Sequence, residues 1–419
     1  MTQQEFELLV LHAGMDVPEG IAEYLADLAP RGDDPLLSDG FLEECARRGG
    51  LQEPGLQRLR EALSAIRADQ KLLRLSCVLR DDVHRALIHQ RTCGFTRPEP
   101  ACLNGFSREA YALLFALSCL EQGLGALERR GIMRERYEAV CRRMADKQMD
   151  KLQRTGSALI EDYPWDMNFY GCAIFLCDRF YFIPYKWEGP CVYRRTNDGK
   201  VLALWPAGSR VRRDGQLDGV NGVKDPMAFE TAWEEDEQSV TACPVNPVGR
   251  IRPSTVTLPK SEWKPALTPG DMTLAVHIPG GEGYTPQRWK SSMEEAKAFF
   301  DRWFPEIPTK GFWSESWLYD PTLSRLLPEE GRIMSVQRQF YIYPTMEGEE
   351  MIKLEVFGDA HADLDAVEVK TSLQQKLLDS LRRGEHYHTS GMFVLHEDLR
   401  RFGSRPYQTD EDIADCLKG

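Results

Sequence analysis

The stretch MTLAVHIPGGEGYTPQRWKSSMEEAKAFFDRWF, residues 272–304, constrains the fold more than any other part of this chain. Met272, Leu274, Val276 and Ile278 alternate with Thr273, Ala275 and His277, the period of a strand. Gly280, Gly281 and Gly283 make a loop, and Thr285 is placed to cap a helix with Pro286 in its first turn. Trp289, Met293, Ala296, Phe300 and Trp303 then recur at spacings of three and four, which is one apolar helix face turned to a core. A strand leading through glycines into a helix start presents unpaired amide N–H groups and the positive end of a helix dipole. That combination suits a phosphate group.

The rest of the chain gives this unit a setting. Its 419 residues exceed the size of one typical domain. Residues 1–160 read as helices, with apolar spacing at Ile21, Tyr24, Leu25 and Leu28 and at Leu56, Leu59, Leu63 and Ile66. Helical tracts follow at 107–129 and 133–152. From Tyr163 the aromatic and β-branched density predicts strands, with a hairpin turn at 197–199. Beyond the glycine loop, strands are predicted at 311–319, 334–343, 351–357 and 391–396. A short helix starts at Asp320–Pro321, and another follows a capping box of Ser372 and Gln375. The expected fold class is α+β: an N-terminal helical region followed by a mixed sheet flanked by helices. The expected domains are 1–110, 111–265 and 266–419.

Net charge is −13, with a sequence pI near 5.3, which argues against a nucleic-acid partner. The eleven cysteines are dispersed, without a CxxC pair or a local Cys/His cluster, as expected of a reducing compartment. The acidic N-terminus does not read as a secretory signal, and the longest apolar run, 110–120, is short for a membrane span. The expectation is a soluble cytoplasmic protein without a membrane or metal partner.

Three stretches, AWEEDEQSVTACPVNPVGRI, LPKSEWKPALTPGDMTLAVHIPGGEGYTPQRWKSSMEEAKAFFDRWFPE and SESWLYDPTLSRLLPEEGRIMSVQRQFYIYP, resemble a bacterial family of acyltransferase-domain proteins. That family joins an N-acyltransferase N-terminal domain to a GNAT-like C-terminal domain. The tail TSLQQKLLDSLRRG fits as well. The resemblance covers roughly residues 110–400 and is most specific from 230 to 345. It implies a transferase that moves an acyl group from acyl-CoA, acetyl or longer, to the amine of a small molecule or a protein. It also implies a splayed central strand, with Ile278, Gly280, Gly281, Gly283, Tyr284, Thr285 and Arg288 around the pyrophosphate.

Such chemistry needs a proton acceptor for the amine and a proton donor for the departing sulfur. His277, at the end of the strand, is the first candidate base, and its alternative is a histidine that orders the turn. Glu315, in SESWLYD, is a base or amine-binding carboxylate, or else an exposed strand residue. Tyr319 is the candidate acid, or a core tyrosine. The loop reads PGGEGYTP, without the Arg or Gln that usually leads it and with Glu282 inside it. This departure supports a second reading: a non-catalytic GNAT fold kept for binding or assembly. His386 and His388 alternate as a metal pair would, with surface histidines the alternative. The basic islands RRTNDGK and RVRRDG are either solvated hairpin tips or contacts for the adenosine phosphate.

Overall fold

The computed structural model describes residues 1–17, 34–90 and 96–418, with side chains described as far as residue 414. The predicted helical spacing at Ile21–Leu28 lies outside the described residues. The chain divides into two compact units, one of Met1–Leu176 with Tyr181–Tyr185, the other of Cys177–Phe180 with Lys186–Gly419.

The first unit is helical: α1 (Gln3–Ala13), α2 (Asp39–Arg48), α3 (Gly55–Ala68), α4 (Gln70–Ile88), α5 (Gly105–Arg129), α6 (Glu138–Thr155) and α7 (Tyr163–Tyr170). Helix α5 packs against α3, α4, α6 and α7 and buries Tyr111, Leu113, Leu114, Leu117 and Leu120. Among the described residues it alone is long and apolar enough to cross a membrane by composition, and it is mostly buried as the centre of this bundle. The Tyr111 hydroxyl meets Ser76 Oγ at 2.7 Å and Ser118 Oγ donates to the Phe115 carbonyl at 2.6 Å, so the buried hydroxyls of α5 are satisfied.

Residues 163–170 form α7 where strands were expected. Pro164 lies in its first turn, and Tyr163, Met167 and Tyr170 are buried at helical spacing, a period that the aromatic composition hides. The short strands β1 (Phe175–Cys177) and β2 (Phe180–Lys186) follow.

The second unit contains β3 (Cys191–Arg195), β4 (Val201–Trp205), β5 (Arg210–Val211), β6 (Phe229–Glu230), β7 (Trp233–Glu235), β8 (Ser239–Asn246), β9 (Arg250–Ile251), β10 (Val256–Pro259) and β11 (Trp263–Leu267). One antiparallel sheet has the order β10-β8-β4-β3-β11, with β7 and β9 also paired to β8. A second sheet runs β12 (Met272–His277), β13 (Gly311–Ser316), β15 (Ser390–Leu395), β14 (Tyr341–Pro344). Strands β12 and β13 are parallel, and α8 (Pro286–Trp303) is the crossover that parallel pairing requires. The other two pairs, β13–β15 and β14–β15, are antiparallel.

The pleat gives the second sheet two distinct faces. Trp313, Tyr341, Tyr343, Phe393 and Leu395 pack with Trp187 and with Val192, Ala203 and Val245 of the first sheet. On the other side α8 lays Trp289 against Phe180 and Phe340, with ring centroids 4.4 and 5.0 Å apart. A smaller core joins Trp317 and Leu323 to α9 (Arg332–Gln337), α10 (Glu350–Phe357) and α11 (Ser372–Arg382), and α12 (Asp410–Lys418) ends the chain.

Two predicted strands are corrected. Residues 351–357 lie in α10, closed by Gly358 at φ 87°, whose N–H returns to the Leu354 carbonyl. Residues 332–337 are α9, and only 341–343 of the predicted 334–343 are extended, in a strand that ends at Pro344. The capping box before α11 is one residue earlier than expected, formed by Thr371 and Gln374.

Candidate functional site at the β12–β13 fork

Strands β12 and β13 pair only at Leu274–Phe312 and Ala275–Trp313. Beyond that point Val276 and His277 carry no ladder to Ser314, Glu315 and Ser316, so the two parallel strands part at their C-terminal ends. In sheets of this kind ligands bind outside the carboxyl ends of parallel strands. The glycine loop leaves β12 at this fork.

Arg179 sets the shape of that loop. Its guanidinium donates to the carbonyls of Pro279 (2.7 Å), Gly280 (3.3 Å), Gly281 (3.2 Å) and Glu282 (2.6 Å). In a trans peptide the N–H opposes the C=O. The N–H groups of Gly280, Gly281, Glu282 and Gly283 therefore turn away from the cation, and none has a hydrogen-bond partner among the described residues. Gly281 and Gly283 sit at φ 106° and 97°, alternating with residues of negative φ, as in an amide nest for anions. Only glycine adopts these angles without strain. Four outward amides fit the pyrophosphate of a coenzyme A. Glu282 is exposed, and its main chain rather than its carboxylate shapes the loop.

The first turn of α8 is organised as expected. Thr285 Oγ accepts from the Arg288 amide at 3.3 Å, and Pro286 stands at the helix start. Arg288 itself is ion-paired with Asp178 at 2.7 Å. Tyr284 presses edge-on against Trp289, its hydroxyl buried next to that of Tyr319. Neither hydroxyl closes a hydrogen bond, and burial holds both phenols protonated by pushing them above their ordinary range. Ile278 links His277 to the loop.

His277 closes β12, and burial lowers its imidazole to about 4, which keeps the ring neutral. Glu315 is raised to about 7 by burial first and by Glu347 and Glu188 second. Its cross-strand partner is Gly391, which is also the partner of Tyr343. A Cβ on Gly391 would stand 2.1 Å from Tyr343 Cζ and 2.5 Å from its hydroxyl, so the tyrosine ring lies directly over the glycine. Glu315 thus shares a sheet face with Tyr343. Tyr319 sits beside Ser314 and Tyr284, on the side of β13 that faces α8. The fork brings the loop, Tyr284 and Tyr319 together and sets Glu315 on the opposite face. Glu347 also lines a cavity of about 530 Å³ with Asn221, Met346, Met351 and Thr389.

Sequence reasoning missed Arg179, and it named Tyr284 and Tyr319 separately without their contact. Arg179 follows a strand far from the loop, and nothing local marks it. His388 is buried, not a surface residue: its Nε2 meets an Arg212 Nη at 3.0 Å, and its N–H donates to Asp320. His386 instead lies 3.1 Å from Glu349, so the two histidines face different partners. The basic islands are paired with acids: Arg194 with Asp398, Arg195 with Asp198, Arg212 with Asp214 and Arg213 with Asp225.

Residues 223–393 match the family described as the GNAT-like C-terminal domain. No curated protein matches the chain. Among solved structures, an acyltransferase in complex with decanoyl-CoA aligns with a TM-score of 0.52 at 15% identity, over 94% of this chain and 99% of that one. An acyltransferase in complex with decanoyl-CoA and teicoplanin aligns with a TM-score of 0.51 at 16% identity, over the same shares. These likenesses span both units, so the chain has the fold of these acyltransferases, and its residues 223–393 are similar to the GNAT-like C-terminal domain.

Proposed function

We propose that the chain is an acyl-CoA-dependent N-acyltransferase. The observation behind this reading is the fork itself: two parallel strands that part beside four outward amides. The amides of Gly280–Gly283 take the pyrophosphate, and the thioester enters the gap after Ala275 and Trp313, where a backbone N–H of the parted strands polarises its carbonyl. The acceptor nitrogen attacks that carbon, the C–N bond forms and the C–S bond breaks. The amine proton leaves to a base, and the sulfur gains a proton to give free coenzyme A.

Glu315 suits the base better than His277. A carboxyl near 7 is matched to neutral pH, whereas an imidazole lowered to about 4 holds a proton weakly. Tyr319, with Tyr284 beside it, is the acid. A small-molecule amine is the acceptor class, supported by the relative solved with teicoplanin and decanoyl-CoA together. A reducing bacterial cytosol is the compartment, in keeping with nine described cysteines that are all free thiols.

Thermal midpoints with acetyl-, octanoyl- and decanoyl-CoA test the reading. A ligand at 100 times its Kd adds about 2.7 kcal/mol. Gly281→Asp, which puts a carboxylate in the nest at an unfavourable φ, should cancel the shift. The absence of a shift with every acyl-CoA would sink the proposal. A shift without amide product on any amine would favour a fold kept for binding alone.

A further inference from the structure

The helical unit brings together three donor types that no spacing in the sequence connects. His12 lies in the last turn of α1, Asp69 is the N-cap of α4, and Cys102 precedes α5. One donor atom from each lies within 4.8 Å of the other two. The backbone fixes the group: the N–H of Ala101 and that of Cys102 both reach the carbonyl of Ala13, the neighbour of His12, at 2.8 and 3.4 Å. Asp69 Oδ1 accepts from the Lys71 and Leu72 amides at 3.1 Å each, which sets the carboxylate plane. Its Oδ2 stands 2.8 Å from His12 Nε2.

We infer that His12, Asp69 and Cys102 form a binding site for a zinc-like transition-metal dication, with solvent as the fourth ligand. An imidazole nitrogen, a carboxylate oxygen and a thiolate sulfur are the donor set such ions take. Zinc bond lengths place neighbouring N and O ligands about 3.3 Å apart. His12 and Asp69 therefore need to separate by only about half an ångström, and rotation about the Cys102 side chain brings in the sulfur. The His12 and Asp69 side chains are 32% and 25% exposed, so solvent reaches the pair that would hold the ion. Without a metal the same contacts amount to a His–Asp ion pair beside a thiol. With one, the end of α1, the start of α4 and the approach to α5 are clipped together. This inference is independent of the acyl-transfer reading.

Cobalt(II) titration of the full chain reads the site directly. The expected result is a sulfur-to-cobalt charge-transfer band that saturates at one equivalent and is lost in Cys102→Ser, His12→Ala and Asp69→Asn. The last variant keeps the capping oxygen of α4, and Cys102→Ser keeps the packing, so these two decide if His12→Ala fails to fold. Zinc should raise the thermal midpoint of the parent chain and leave that of Cys102→Ser unmoved. No sulfur band at equimolar cobalt, or one that survives Cys102→Ser, overturns the site.

Discussion

Arg179 donates through Nε to the Glu282 carbonyl at 2.6 Å across 103 residues of sequence, and this contact fixes the way the glycine loop faces. The guanidinium holds four carbonyls on one side so that four amides face the other. Arg179→Ala should leave the sheet intact and weaken coenzyme A binding about 10- to 100-fold, the scale of one or two charge-assisted hydrogen bonds. Arg179→Lys should recover little of this, because a point charge cannot span the carbonyls as a planar fork does. Calorimetric titration with coenzyme A measures the loss. Unchanged affinity in Arg179→Ala would remove the loop from the binding site.

Gly391 has a separate and steric role. Its missing side chain is the space that the Tyr343 ring occupies. Gly391→Ala forces that ring off β15, and overpacking of this kind costs about 1–3 kcal/mol. Chemical denaturation should show the loss, and pairing the change with Tyr343→Ala should recover part of it, a non-additivity expected of residues in direct contact.

Tyr319 separates stability from chemistry. Its hydroxyl is buried without a hydrogen bond. Removing such a group spares a desolvation cost of about 1–3 kcal/mol. Tyr319→Phe should therefore equal or exceed the parent in denaturant midpoint. If the hydroxyl protonates the leaving sulfur, kcat should nonetheless fall by about 100-fold or more. A stable variant with undiminished kcat would leave Tyr319 as core alone and pass the role to Tyr284.

The parts of this fold that sequence conveys are those governed by local periodicity. Strand β12, Thr285, Pro286 and the stripe of α8 were legible because alternation, cap and helical face each act over a few residues. Residues 334–343 misled because Ser335, Gln337 and Gln339 look like the polar half of an alternating strand. In the structure Gln337 and Gln339 are buried, Gln337 bonded to the Leu318 and Asp320 carbonyls and Gln339 to that of Ser335. Residues 351–357 misled in the same way, since an amphipathic helix with only Ile352 fully buried also alternates over short stretches. Arg179, the Tyr284–Tyr319 pair and the His12–Asp69–Cys102 group were not legible, because each is made by chain segments that meet only in the folded state.

Glu315 gives the sharpest pH signature. Its carboxyl rises from 4.5 to about 7 through burial and the neighbouring Glu347 and Glu188. The folded state therefore holds this proton at pH values where the unfolded chain has released it. Stability from this group is greatest below about pH 4.5, declines as pH rises towards 7, and is flat above that. The charged form costs on the order of 3 kcal/mol relative to the protonated one. Glu315→Gln keeps the shape and removes the titration, so it should match the parent at about pH 4 and exceed it in stability at about pH 8. Catalysis runs the opposite way, because a base must be deprotonated. The kcat/KM of the parent should climb to a plateau above about pH 7, while that of Glu315→Gln should be low and lack the inflection. Urea titrations and initial rates across the same pH series test both halves. A stability gain without a rate loss would make Glu315 a buried acid with no part in proton transfer, and the base would then have to be a water chain or His277.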